Sequence, residues 1–74
     1  MTNLPRVSSR ELIKYLTKFK NFEYDRTSGS HHIYKNNITR VSIPERNEIG
    51  IGLFRKILQE CGVSEEEFKR YWFR

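Results

Sequence analysis

The chain has 74 residues, of which 36% are hydrophobic and 14% aromatic, and its formal net charge at pH 7 is +5. This length allows one domain, residues 1–74, with one small core, and the apolar content argues against a disordered chain. The only cysteine, Cys61, leaves no partner for an internal disulfide, and no apolar run reaches the ~20 residues that span a bilayer. We therefore expect a soluble cytoplasmic protein whose charge attracts a polyanion or an acidic protein partner.

The first predicted element is a helix that begins with a capping box. Ser8 and Glu11 have the spacing in which each side chain accepts a hydrogen bond from the other residue's backbone N–H. Asn21 is expected to end the helix, because asparagine tolerates the left-handed backbone conformation. The apolar stripe of this helix consists of Leu12, Ile13, Leu16 and Phe19.

Three antiparallel strands are predicted next. Alternating and β-branched residues place them at residues 22–26, 31–35 and 38–43. A turn at residues 28–30 joins the first two, a tight connection at residues 36–37 joins the last two, and Pro44 ends the third.

Two further helices complete the predicted fold. Gly50 and Gly52 bracket the start of the second helix, and Gly62 is placed to terminate it. The spacing of Ser64 and Glu67 predicts a second capping box and a short last helix. The resulting fold class is α+β, with helices on one face of a three-stranded antiparallel sheet. The opposite face is left for a ligand or partner.

Both histidines lie in residues 29–35, Gly-Ser-His-His-Ile-Tyr-Lys, on the second predicted strand. Histidine exchanges a proton near neutral pH, since its unperturbed pKa is about 6.5. In a basic protein such a group fits the cleavage of RNA, whose own 2′-hydroxyl attacks the phosphate once its proton is removed. From the residues alone, a strand histidine without a chemical role stays an open alternative. Neighbouring strand residues point to opposite faces, so His32 is expected to pack or to contact a partner.

The order of elements and several segments together resemble the HicA (YcfA-like) family of toxin mRNA interferases. The resemblance implies a fold like that of double-stranded RNA-binding domains and metal-independent cleavage of mRNA by one histidine on the sheet. It further implies neutralisation by a HicB-like antitoxin. Independently of the resemblance, we expect no cofactor. The matching segments are residues 11–16, 29–35, 41–44, 52–58 and 62–68.

The family's histidine follows a Gly-Ser pair, which maps it onto His31, with His32 as the alternative if the match shifts by one residue. Many members have another histidine after the segment that corresponds to residues 41–44, whereas this chain has Glu45 and Arg46. This chain therefore has no additional histidine to share the acid–base work. A second difference is Asn21 at the end of the first helix, where members often carry glycine.

We assign His31 as the candidate general base, and Ser30 as a group that orients the phosphate or the ring. Lys35, Arg40 and Arg26 are the candidate phosphate-binding cations. No Cys-x-x-Cys pair and no carboxylate close to the histidines are present, so no metal site is expected. The alternative functions are a non-catalytic RNA-binding module and, less favoured, a structural adaptor that uses the open sheet.

Overall fold

The computed structural model describes residues 3–74, which form three helices and three strands in the order α-β-β-β-α-α. The strands form one antiparallel sheet in the order β1-β2-β3. This architecture confirms the predicted fold class. The elements are α1 (Ser9–Phe19), β1 (Glu23–Ser28), β2 (His31–Lys35), β3 (Arg40–Pro44), α2 (Ile51–Glu60) and α3 (Glu65–Trp72).

The predicted start and end of α1 are confirmed. The Ser8 hydroxyl accepts the Glu11 backbone N–H at 3.1 Å, and the Glu11 carboxylate accepts the Ser8 N–H at 2.8 Å. Two of the donors at this helix end are thereby satisfied. Beyond the last helical residue, Phe19, Asn21 adopts φ 59°, the left-handed conformation expected of a residue that ends a helix.

The bounds of β2 are as predicted, whereas those of β1 and β3 differ. β1 continues to Ser28, so the turn consists of Gly29, at φ +61°, and Ser30. The prediction that β3 starts at residue 38 was wrong. The Asn36 side-chain oxygen accepts the backbone N–H groups of Ile38 and Thr39, both at 2.9 Å, and so forms a local turn in place of strand pairing. Ile38 is consequently 91% exposed.

The helices cover only one face of the sheet. Val41 and Ile43 of β3 belong to the buried core, while Ser42 between them is exposed. His32 pairs with Ile43, and Tyr34 pairs with Val41. Paired residues in an antiparallel sheet point to the same side, so His32 and Tyr34 face the helices. The alternate residues of β2 point to the other side, as predicted for the two histidines.

Glycines delimit α2, as predicted. Gly50 is its N-cap without a side-chain hydrogen bond, and Gly62 follows its end at φ +73°. The Ser64 half of the second predicted capping box is confirmed. The Ser64 hydroxyl accepts the Glu67 N–H at 3.0 Å, but the Glu67 carboxylate pairs with Lys20 of the segment after α1. This ion pair therefore links α3 to the end of α1.

The core lies between the sheet and the three helices. Phe54 of α2 and Phe68 of α3 are fully buried and pack edge to face, with 5.1 Å between their ring centroids. Tyr15 of α1 packs against Phe68 at 4.9 Å in the same geometry. Within residues 3–74, no helix has the length and apolar content needed to span a membrane.

Candidate active site

The uncovered side of the sheet, here called the open face, carries most of the predicted functional residues. Strand alternation and the pairing of Arg26 with Ile33, Ile33 with Ser42, and Lys35 with Arg40 place these side chains together on it. The open face carries Arg26, His31, Ile33, Lys35, Arg40 and Ser42, and the same pairing places Glu23, Ser28 and the buried Pro44 on this side of the sheet.

His31 is the first residue of β2 and lies directly after the Gly29-Ser30 turn. Its side chain is exposed, and it pairs across the ladder with Ser28 and Pro44. Among the groups of residues 3–74, none forms a hydrogen bond or ion pair with its ring. Both ring nitrogens are therefore accessible to a ligand that approaches the open face.

His32 has the opposite surroundings. Its Nδ1 lies 3.1 Å from the Thr27 hydroxyl oxygen, and its Nε2 pairs with the Glu45 carboxylate. The Thr27 hydroxyl in turn lies 2.8 Å from the Tyr24 hydroxyl. Because both nitrogens already have partners, the His32 ring is held in one orientation and has no free nitrogen for a substrate.

The two histidines also face different spaces. An open cleft of about 190 Å³ lies between α1 and the helix-facing side of the sheet, and His32 lines it. A ligand on the open face would contact His31 but would be separated from His32 by the sheet itself. The other lining residues of the cleft are Ser9, Arg10, Ile13, Tyr34 and Glu45.

The three predicted cations converge on one carboxylate, that of Asp25. The distances to its oxygens are 3.1 Å from Arg26 Nη1, 3.2 Å from Arg40 Nε and 3.9 Å from Lys35 Nζ. Asp25 lies at a register shift of β1, between Tyr24 and Arg26. A bulge of this kind redirects a side chain. We call these four residues the Asp25 cluster; its three cations exceed its one anion, so it stays positive.

The Asp25 cluster and His31 share the open face but lie at different ends of it. Lys35 is four residues from His31 along β2, which corresponds to about 13 Å at ~3.3 Å per residue. Arg26 pairs with Ile33, two residues from His31, and is the nearest of the three cations. Ser30, the remaining predicted residue, is exposed in the adjoining turn, and its carbonyl accepts the Glu45 backbone N–H at 2.7 Å.

Sequence reasoning missed Asp25, Thr27 and Glu45. Glu45 directly follows Pro44, which pairs with His31, so a correct strand register would have brought it close to both histidines. No such signal exists for Asp25, whose orientation depends on the bulge. The polar neighbours of His32 are thus a consequence of the pairing register and not of a local motif.

Three groups away from the open face have clearly shifted pKa values. Burial and the nearby Glu67 raise the pKa of Tyr15 to about 12. Burial, reinforced by Glu60, raises the pKa of the Cys61 thiol to about 12. The hydrogen bond from Lys20 lowers the pKa of Glu67. In the described part of the chain, no three His, Cys, Asp or Glu side chains converge to form a metal site.

The fold and its surface define a small basic α+β protein with an exposed strand histidine and a cationic cluster on one uncovered sheet face. A family model described as HicA toxin of bacterial toxin-antitoxin matches residues 9–63, from α1 to just beyond α2. The chain therefore belongs to the HicA toxin family, which confirms the resemblance found in the sequence and implies an antitoxin partner. Comparisons with curated proteins and with solved structures gave no match.

Proposed function

We propose that this HicA-family toxin is an endoribonuclease that cleaves mRNA on the open face, with His31 as the general base. The observation that carries the proposal is the accessibility of the His31 ring, which is exposed and has no partner among the described residues. A general base must reach the proton that it removes, and an exposed ring without a partner among the described residues meets this requirement.

The proposed reaction transfers one proton to His31. The base takes the proton of a ribose 2′-hydroxyl, and that oxygen attacks the adjacent phosphorus. The bond from phosphorus to the 5′-oxygen breaks, which leaves a 2′,3′-cyclic phosphate on one fragment. The departing 5′-oxygen takes up a proton from water, so the second fragment ends in a 5′-hydroxyl, and His31 releases its proton to the solvent. A positioned acid–base group of this kind contributes about 10²- to 10⁴-fold to a rate.

The cations of the Asp25 cluster have a binding role in this proposal. We assign Arg26, the nearest to His31, to the phosphate at or next to the cut site, and Lys35 and Arg40 to phosphates farther along the strand; the register of β1 on β2 supports this order. Contacts of this type position the backbone without reading its sequence. Ser30 in the turn is the proposed hydroxyl partner for the phosphate or the ring.

His32 is the less favoured candidate for the base. Its two nitrogens are engaged by Thr27 and Glu45, so it would have to lose one of these contacts before accepting a proton from RNA. It also lines the cleft on the helix side of the sheet, away from the cations of the Asp25 cluster. These contacts fit a structural role better than a catalytic one.

A non-catalytic RNA-binding module is the second candidate function. The observation in its favour is the separation of about 13 Å along β2 between His31 and Lys35, as derived from ~3.3 Å per strand residue. With this spacing the cluster can bind RNA whether or not His31 takes part in chemistry.

The two functions are separated by the paired variants His31→Gln and His32→Gln. Glutamine keeps hydrogen-bonding groups but does not titrate, so His31→Gln is expected to lower RNA cleavage at least about 100-fold while the Kd for RNA changes less than about threefold. His32→Gln, the matched control, keeps hydrogen-bonding groups that can reach Thr27 and Glu45, and is expected to lose much less cleavage than His31→Gln. Unchanged cleavage by His31→Gln would refute the assignment, and a parallel loss of binding and cleavage would favour the binding module.

For the antitoxin we propose a HicB-like protein that covers the open face and so excludes RNA from His31. The positive Asp25 cluster favours acidic side chains in the contacting region. In the complex, modification of His31 by diethyl pyrocarbonate should be blocked. Continued modification of His31 in a complex that no longer cleaves RNA would place the antitoxin elsewhere.

A further inference from the structure

Glu45 makes contact with the chain on both sides of His31. Its backbone N–H donates a hydrogen bond of 2.7 Å to the carbonyl of Ser30, the residue before His31. Its carboxylate pairs with Nε2 of His32, the residue after His31. One residue at the end of β3 therefore holds both neighbours of the proposed base.

The carboxylate contact belongs to a longer chain of hydrogen bonds on the helix side of the sheet. Beyond His32, it continues through the Thr27 hydroxyl at 3.1 Å to the Tyr24 hydroxyl at 2.8 Å. Thr27 pairs with His32 across the β1–β2 ladder, and Glu45 follows the last residue of β3. The chain thus connects all three strands at the end of the sheet that carries His31.

Hydrogen bonds between the strands are important at the end of the sheet that carries His31. His31 is the first residue of its strand and adjoins an exposed two-residue turn, and strand ends with few buried contacts open more readily than strand centres. Proton transfer from a ribose hydroxyl requires the base within hydrogen-bond reach, and a displacement of about 1 Å can lower a rate about 10²-fold.

We propose that Glu45 is a positioning residue that holds His31 at the location required for cleavage. The inference rests on the proposed function, since it concerns the same base. The Glu45 carboxylate is directed to the helix side through His32, so it steadies the strand without presenting a negative charge beside the phosphate.

The test compares Glu45→Ala, Glu45→Gln and the control Glu48→Ala in steady-state cleavage of one RNA. Each variant removes one negative charge, so any general change in attraction to RNA is the same in all three. Glu48 lies in the same loop, where its carboxylate pairs with exposed Arg6 at 3.5 Å. The backbone N–H that holds Ser30 is retained in all three variants, so the contact to His32 is what distinguishes Glu45→Ala from Glu45→Gln.

We expect Glu45→Ala to lower kcat about 10- to 100-fold with KM changed less than about twofold, after correction for the folded fraction. Glu45→Gln should recover much of kcat, because its amide oxygen can still accept a hydrogen bond from His32. Glu48→Ala should match the parent chain. Equal kcat for Glu45→Ala and Glu48→Ala would overturn the inference, as would a change confined to KM.

Failure of this inference is distinguishable from failure of the proposed function. His31→Gln is measured in the same assay. If it is inactive while Glu45→Ala is fully active, only the positioning role fails. If the parent chain and His31→Gln cleave equally, the assignment of the base fails, and the positioning role falls with it whatever the Glu45 variants do.

Discussion

At the scale of single residues, the two neighbouring histidines have the same chemistry but different contacts. His31 and His32 are adjacent and chemically identical, yet one ring is free and exposed while the other is held by Thr27 and Glu45. Strand alternation was sufficient to predict that they face opposite sides. The partners of the two rings depend on the pairing register of β3, which cannot be inferred from the sequence of β2.

The sulfur of Cys61 gives a residue-scale prediction. Burial raises the pKa of its thiol from 9.0 to about 12. Because the thiolate is the reactive form, we expect alkylation by iodoacetamide at about pH 8 to be roughly 10³-fold slower in the folded chain than in the chain unfolded in urea. The rate is measured by mass spectrometry. Similar rates in the two states would contradict the burial of this thiol.

At the scale of elements, capping residues and turn residues predicted most boundaries. Ser8, Asn21 and Gly62 act as expected because each satisfies or redirects backbone groups within a few residues of itself. The start of β3 could not be predicted in this way. Asn36 captures two backbone N–H groups that the alternating pattern had assigned to the strand.

The candidate site was predictable to a similar extent. Strand alternation and charge predicted which strand carries His31, that its side of the sheet is exposed, and that three cations lie on the same face. Two other features of the site could not be predicted from the sequence. The three cations converge on Asp25 because of a bulge in β1. The contact between Glu45 and His32 depends on the long-range pairing of β2 with β3. Both are tertiary properties that no local motif encodes.

The helix α3 lies beyond residues 9–63, the part matched by the family model, but it completes the core. Phe68 is fully buried and contacts the rings of Tyr15 and Phe54. We expect Phe68→Ala to lower the free energy of unfolding by about 3–5 kcal/mol, because it removes a large side chain and leaves a cavity. The loss is measured by urea denaturation followed by circular dichroism.

The matched control is Phe73→Ala, since Phe73 is 55% exposed just after α3. Its effect should stay within about 0.5 kcal/mol, as is usual for surface substitutions. Equal effects of the two substitutions would show that α3 does not contribute to the cooperative core. Small domains have total stabilities of only about 5 kcal/mol or slightly more, so Phe68→Ala should leave a large unfolded fraction at low denaturant.

At the scale of the whole molecule, the two faces of the sheet differ: one packs against the helices, and the other is exposed. The helix-facing side contains the core and the chain of hydrogen bonds through His32, which provide rigidity. The open face contains His31 and the positive Asp25 cluster, which are accessible to a polyanion. A net charge of +5 adds a general attraction to polyanions that salt screens.

The most direct test of the central claim is a pair of short RNAs incubated with the chain in buffer that contains EDTA. One is all ribose, and the other has a single 2′-deoxyribose on the 5′ side of the bond that is cut. If His31 acts by removing the 2′-hydroxyl proton, the first yields a 2′,3′-cyclic phosphate end and the second stays intact at that bond. Cleavage of the substituted RNA at the same bond would contradict the mechanism.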